Sequence, residues 1–401
     1  MTDELADFRT DVRAWIADAY PAELRESSIN FFQAAGDVLT GHARRWQERL
    51  AAKGYGAPTW PVEYGGAGLS HPQARVVNDE LARADAVNPI SMLSGMGVTM
   101  VGPTVLEYGT DDQKAKHLPG IASGEVRWCL GLSEPGAGSD LASLTTRAVD
   151  DGDNWVLNGQ KIWTSGADRS HWCGALVRTN ADASKRDGIS FVMLPMDQPG
   201  VRARPIKLIA GASPFCETFF EDARAEKADL LGKVNEGWSV IKRLLQHERQ
   251  SQTGGGRAAA GPVETPQDVA KRYVGVDDNG LLDDADLRTR LASHLMDAEA
   301  HGLTQARIGA EARGNVEVTA AASIMKNSAT LVAQTRAELM LEVMGSQGVG
   351  WEGPGFSGDE LASVRGWLSG KAMSIYGGSS EVQRNIISKN ILGLPETTQK
   401  G

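Results

Sequence analysis

Cysteine is scarce in this chain of 401 residues, with three in all, Cys129, Cys173 and Cys216. That is too few, and they are too scattered, for a disulfide framework or a zinc site. The seven histidines form no HxH or HExxH pattern, so a metal centre has no support. No run of about 18 apolar residues occurs, and nothing is expected to span a membrane. The opening stretch, MTDELADFRTDVRAWIADAY, lacks the apolar core of a signal peptide and reads as an acidic amphipathic helix. Positive charge is also in deficit. The 41 Lys and Arg against 51 Asp and Glu give a net charge of −10, which argues against nucleic acid or an anionic membrane surface as the main partner. These absences describe a cytoplasmic protein of a reducing compartment.

What is present is enough for a large core. Hydrophobic residues make up 41% of the chain and charged ones 23%, with no long polar tract, so two or three subdomains are expected. Helical punctuation fills the first ~120 residues. Trp15, Ile16 and Ala19 share helical spacing, as do Trp46 with Leu50 and Val101 with Val105. The turn-rich stretch GYGAPTWPVEYGGAGL, from Gly54 to Leu69, reads as a long loop. From about Glu125 to Leu231 the pattern changes to short β-prone runs such as WVLNGQKIW, HWCGALVRT, GISFVMLPM and CETFFED. Helical periodicity returns at Gly237, and TGGGRAAAGPVETP (Thr253 to Pro266) should interrupt it. The order implies an α+β protein with domains at 1–124 (helical), 125–235 (β) and 236–401 (helical). The last helix should be capped by Ser380 with Gln383, present Val382, Ile386 and Ile387 as an apolar face, and stop at Gly393.

Three short blocks carry chemistry. Ser133-Glu134-Pro135-Gly136-Ala137-Gly138-Ser139-Asp140 is a glycine-rich turn that can bring backbone N–H groups close to an anion or a polar ring edge. It could equally be an ordinary tight turn, and it is not the GxGxxG dinucleotide fingerprint. In Lys161-Ile162-Trp163-Thr164-Ser165-Gly166, Trp163 is either a core aromatic or a flat wall for a planar ligand. In Tyr376-Gly377-Gly378-Ser379-Ser380-Glu381, two glycines precede a helix start whose N–H groups and dipole could face a ligand or merely cap a helix.

Taken together, SEPGAGSD, GQKIWTSGAD (Gly159 to Asp168) and SIYGGSSEVQRNIISKNILGLP (Ser374 to Pro395) resemble the acyl-CoA dehydrogenase family of flavoenzymes, in that family's order and spacing. The resemblance implies N-terminal helices, a middle β-barrel and a C-terminal four-helix bundle, with FAD as cofactor. It also assigns roles. Ser133 would reach the flavin pyrimidine edge and Ser139 the FAD phosphate, with backbone contacts from Leu130. Trp163 would wall the ring and Ser165 would hydrogen-bond its N5. Ser379 and Glu381 match positions that approach FAD, and the Gly377 N–H would bond the substrate's thioester carbonyl.

The family often carries its catalytic glutamate directly after the tyrosine of the last block, where this chain has Gly377. A minority places it on another helix, directly before an arginine, and Glu248-Arg249 in GWSVIKRLLQHERQ stands at the matching place. Ile241, Leu245 and Glu248 fall at i, i+4 and i+7, which puts Glu248 along an apolar stripe where desolvation would strengthen a carboxylate base. The plain alternative is a glutamate at the stripe's edge paired with Arg249, which the resemblance would place at the substrate. Glu381 is the fallback base.

Two further departures concern assembly. In many homo-oligomeric relatives each subunit lends its neighbour an arginine and a glutamine near the FAD pyrophosphate. Here the arginine's only candidate is Arg272, with altered spacing, and Glu342 stands where the glutamine is expected. A carboxylate there would repel a pyrophosphate. A similar division of labour occurs in heterotetrameric relatives that act on steroid side-chain CoA thioesters, which also tend to have YGGSSEVQ. The expected function is therefore α,β-dehydrogenation of an acyl-CoA to the trans-2-enoyl-CoA, with electrons passed to an electron-transfer flavoprotein. The alternatives are an FAD-containing lyase or desulfinase, and a non-catalytic partner subunit.

Overall fold

The computed structural model describes residues 3–25, 39–254, 264–313 and 319–395. The chain divides into two compact units, Met1–Ile206 with Ser213–Ala258, and Lys207–Ala212 with Ala259–Gly401.

The first unit begins with helices. In α1 (Asp3–Ala19) the apolar positions Val12, Ile16 and Ala19 are buried with Trp46 and Leu50 of α2 (Gly41–Ala52) and Val77 and Leu81 of α3 (His71–Arg83). Arg9 and Arg13 of α1 reach Glu80 of α3 at 2.7 and 2.8 Å. The expected loop from Gly54 doubles back on itself. Gly54 has φ +72°, and a Cβ there would lie 2.5 Å from the Gly66 backbone, so only glycine fits. After α4 (Gly102–Tyr108), helix α5 (Asp111–Ser123) starts with a reciprocal Thr110–Gln113 capping box and stops at Gly124, φ +76°.

Eight strands follow in one sheet: β1 (Trp128–Gly131), β2 (Arg147–Asp151), β3 (Asn154–Ser165), β4 (Trp172–Arg178), β5 (Ile189–Pro195), β6 (Val201–Ile206), β7 (Phe215–Glu226) and β8 (Leu230–Leu231). Their order is β6-β7-β3-β2-β4-β5-β8, with β1 parallel beside β4. Cys129, Cys173, Val177, Val192, Leu194, Cys216 and Phe220 share the core that this sheet encloses. The next helix, α6 (Gly237–Gly254), buries Val240, Ile241 and Leu244 against Ile189, Phe191, Val101 and Val105, so its apolar stripe is fixed on the sheet and the N-terminal helices alike. Its opposite flank is tied by Arg243, which donates twice to Glu107 of α4 at 2.6 Å.

The second unit is helical. Its members are α7 (Pro266–Tyr273), α8 (Ala285–Arg313), α9 (Thr319–Met344), α10 (Gly358–Gly370) and α11 (Ser380–Ile386). Val269, Leu287, Leu291, Leu339 and Val343 form its core. The interruption expected between Thr253 and Pro266 falls mostly on residues 255–263, which lie outside the described set, and α7 starts at Pro266. The cap of α11 differs from expectation by one residue. Ser379, not Ser380, is the N-cap and accepts from the Val382 N–H, while the Gln383 amide donates to the Gly377 carbonyl at 3.0 Å. The reason is the turn. Gly378 at φ +84° delivers Ser379 in the extended conformation that a cap requires. Among the described residues no helix is long and apolar enough to cross a membrane.

Candidate active site

Within the first unit, the glycine-rich turn and the end of β3 are joined into one feature. Residues 132 to 134 each make a separate link to β3. Leu132 O accepts from Lys161 Nζ at 3.1 Å, Ser133 O from the Ile162 N–H at 2.9 Å, and Glu134 Oε1 from Lys161 Nζ at 2.9 Å. The Glu134 carboxylate also accepts from the Thr145 and Thr146 N–H groups at 2.7 and 2.8 Å, and from Thr145 Oγ1 at 2.8 Å. Burial alone would raise this carboxyl, but Lys161 and the Thr146 and Thr145 donors outweigh it and hold it at about 2. Burial draws the fully enclosed Lys161 ammonium below the usual lysine range, opposed by the charge of Glu134. Strand alternation explains the placement. Trp155, Leu157 and Lys161 occupy the inward phase of β3, and all three are buried.

Directly after this anchor the strand breaks register, between Lys161 and Thr164. Trp163 sits at φ +62°, a conformation that bulky residues rarely adopt, and its side chain is 53% exposed. It is therefore not the core aromatic of the plain reading. The neighbouring Phe215 ring meets it edge-on at 6.1 Å. Ser165 is half-buried, as is Ser133, while Ser139 at the far end of the turn is exposed. Leu130 is buried on β1, its backbone in register with Gly174 of β4. The turn's rim carries an ion pair and an arginine. Asp140 pairs with Lys185 at 2.9 Å, and next to it the Arg186 guanidinium lies 5.3 Å over the Trp238 ring. The Arg186–Trp238 contact was not legible in the sequence because the two residues are far apart along the chain.

Glu248 is half-buried on α6, following the buried Val240, Ile241 and Leu244 along the same stripe. The Arg249 side chain lies outside the described residues. Nearby on the helix, the His247 imidazole lies 3.3 Å from Glu107.

In the second unit Gly377 (φ +63°) and Gly378 (φ +84°) form the turn before α11, and Gly377 is exposed. A Cβ at Gly377 would meet no atom within 4 Å, whereas one at Gly378 would lie 2.6 Å from Gln383 Nε2. Glu381 is exposed in the first turn of α11. Its carboxyl is lowered by its own backbone N–H first and by the Ser379 hydroxyl next. The two residues singled out for assembly already have partners of their own. Arg272 pairs with Glu264 and lies 5.2 Å over the Tyr273 ring. Glu342 takes two hydrogen bonds from Arg290, which hold its carboxyl below the usual range. The repulsion expected from a bare Glu342 is thus largely cancelled inside the chain. Neither residue offers the free arginine or the amide that the expectation concerned.

The family's N-terminal, middle and C-terminal domains, described as those of acyl-CoA dehydrogenase, match residues 2–125, 129–223 and 235–392. The chain belongs to the acyl-CoA dehydrogenase family, oxidoreductases acting on CH–CH bonds. It is 36% identical over 396 residues to acyl-CoA dehydrogenase IpdE1 of Mycobacterium tuberculosis, covering 98% of both chains. Among solved structures it is similar to the Tcur3481–Tcur3483 steroid ACAD, with a TM-score of 0.74 and 30% identity over 99% of each chain. It is likewise similar to the ChsE4–ChsE5 complex of Mycobacterium tuberculosis, with a TM-score of 0.73 and 30% identity over 99% of each chain.

Proposed function

We propose that this chain is an FAD-dependent dehydrogenase that converts a bulky, steroid-type acyl-CoA to its trans-2-enoyl-CoA, with electrons leaving to an electron-transfer flavoprotein. The observation that carries the reading is Trp163. A large aromatic half exposed at a strained bulge, flanked by reachable hydroxyls at Ser133 and Ser165, fits a planar polar ring better than any structural duty. When bound, the flavin would supply the acceptor for the hydride from the substrate's β-carbon.

The protein's own part is binding and proton management. Glu248, on a helix locked by its apolar stripe, is the proposed base for the α-proton. Its half-buried position is the kind of environment in which desolvation would strengthen a carboxylate base, and Arg249, next in the sequence, is the proposed substrate contact. The Gly377 N–H would hydrogen-bond the thioester carbonyl and favour the enolate-like charge that develops there. Ser139, Ser379, Glu381 and the Leu130 backbone complete the proposed FAD contacts, and Arg186, beside the Lys185–Asp140 pair, is the proposed source of local positive charge for the CoA phosphates in a chain of net −10. The likeness to a structure titled a steroid ACAD supports a bulky acyl group.

A partner chain is also proposed, in the manner of the heteromeric complex among the similar structures. Large apolar side chains stand exposed on α8 and α9, including Met296 at 72%, Leu303 at 63% and Leu331 at 60%, and a second polypeptide would cover them. The test is anaerobic titration of the purified yellow protein with CoA thioesters of different acyl groups. A dehydrogenase bleaches, a lyase turns over without bleaching, and a silent subunit does neither. FMN, a nicotinamide or a metal as sole cofactor would refute the reading.

A further inference from the structure

We infer that the buried Glu134–Lys161 pair is a positioning device that sets the separation between Ser133 and Trp163, and so the slot offered to the isoalloxazine ring; this rests on the flavin reading above. The pair joins the two segments immediately beside those residues. Three consecutive residues of the turn are each linked to Lys161 or Ile162 at 2.9 to 3.1 Å. The Lys161 stem is packed as well as bonded, since a Cβ at Gly131 would lie 3.2 Å from its Cγ. Four donors converge on the two Glu134 oxygens, so the carboxylate has little freedom to rotate.

A core role alone does not account for this arrangement. Buried ion pairs are often no more stabilising than apolar side chains of similar volume, and the inward phase of β3 is filled by Leu157 two turns of the pleat earlier. What an apolar pair cannot do is fix direction. Trp163 follows two residues after Lys161 with a backbone conformation that persists only where its surroundings over-determine it. The bonds from Lys161 and Ile162 to the turn provide that determination on one side of the bulge, and the β7 pairing that resumes at Thr164 provides it on the other. The pair thus acts through Trp163 and Ser133 and touches no reacting atom itself.

The test uses the flavin-loaded protein and three variants: Glu134→Gln with Lys161→Met, Thr145→Val, and Glu80→Gln. The double variant removes both charges, leaving none stranded in the core. Thr145→Val removes one of the four donors to Glu134 without burying a charge, and it serves where the double variant does not fold. Glu80→Gln is the control for general destabilisation, since it weakens the buried Glu80 carboxylate's pairs with Arg9 and Arg13, which join α3 to α1 and have no bond to the turn. A tryptophan wall quenches flavin fluorescence, so loss of the slot geometry raises it. The expected result is flavin fluorescence raised several-fold in the double variant and measurably in Thr145→Val. The double variant should also lose about 10²-fold in kcat with KM unchanged, as a misplaced reactive group does. Glu80→Gln should lower the melting temperature yet keep parental fluorescence. Parental fluorescence and kcat in the double variant and in Thr145→Val would overturn the inference alone, as would an equal rise in Glu80→Gln. A parent protein that carries no flavin would overturn the functional reading and this inference with it.

Discussion

Glu248→Gln, followed by Gly377→Glu in the same protein, asks whether the catalytic carboxylate can be moved to the place where many relatives keep it. The first substitution preserves shape and removes basicity, and loss of a positioned base costs ~10²–10⁴ in rate, or roughly 3–5.5 kcal/mol of barrier. The second substitution has a calculable penalty. A side chain at Gly377 meets nothing within 4 Å, so no clash is created. The cost is the left-handed backbone, φ +63°, which for an L-residue amounts to about 1–2 kcal/mol. That corresponds to a melting temperature lowered by about 2–8 °C for a unit of this size. Gly378→Glu is the control. It has the same kind of penalty at φ +84° and in addition strikes Gln383 Nε2 at 2.6 Å, breaking the bond to the Gly377 carbonyl, for about 1 kcal/mol more. Thermal melts should therefore rank Gly378→Glu below Gly377→Glu. Anaerobic stopped-flow reduction by an acyl-CoA should show Glu248→Gln nearly inert with flavin and ligand still bound. The double variant should regain about tenfold, a fraction of what a well-placed base contributes. Near-parental reduction in Glu248→Gln would refute the assignment and pass the role to Glu381. A Gly377→Glu protein less stable than Gly378→Glu would refute the steric reasoning.

The carboxyls of Glu80 and Glu134 are both held at about 2, below the ordinary 4.5. Their contribution to stability is complete above pH ~4.5 and is lost as the pH falls toward 2, at most about 3 kcal/mol for Glu134. Melting temperatures recorded from pH 6 to 3 should fall steeply, and Glu134→Gln should be less stable at pH 6 with a shallower slope; a parallel slope would count against the pairing. Replacing Arg186 by alanine should raise KM for CoA thioesters several-fold, more at low salt, and leave kcat unchanged; an unchanged KM places the phosphates elsewhere. Expressed alone, the chain should hold FAD substoichiometrically and gain activity when co-expressed with a paralogue carrying a free arginine and glutamine at the positions corresponding to Arg272 and Glu342. Native mass spectrometry of a fully loaded, fully active homotetramer would rule that partner out.

How far the sequence spoke depended on the range of the interaction. The half-buried position of Glu248 was legible because helical spacing is local: buried Val240, Ile241 and Leu244 mark the stripe, and counting by 3.6 reaches Glu248. Trp163 was legible only as a choice between two environments, since nothing local announces the bulge that turns it outward. The cap of α11 was misplaced by one residue because either serine satisfies the pattern, and the positive φ of Gly378 decides between them. Lys161 gave a signal that periodicity could have caught. It stands in phase with Trp155 and Leu157, where an ammonium must find a partner. The partner itself was not legible, because Glu134 and Lys161 are 27 residues apart and meet only when the turn folds against β3. The same holds for Glu342, whose neutralising Arg290 lies 52 residues away on another helix. A residue type in a motif states what chemistry is available, but the charge that a ligand meets is set by pairs that topology makes. Glu342, paired with Arg290, presents a pyrophosphate with far less repulsion than a bare carboxylate would, so the proposed partner chain is favoured by the exposed apolar side chains of α8 and α9 and by the absence of the amide and the unpaired arginine at Glu342 and Arg272.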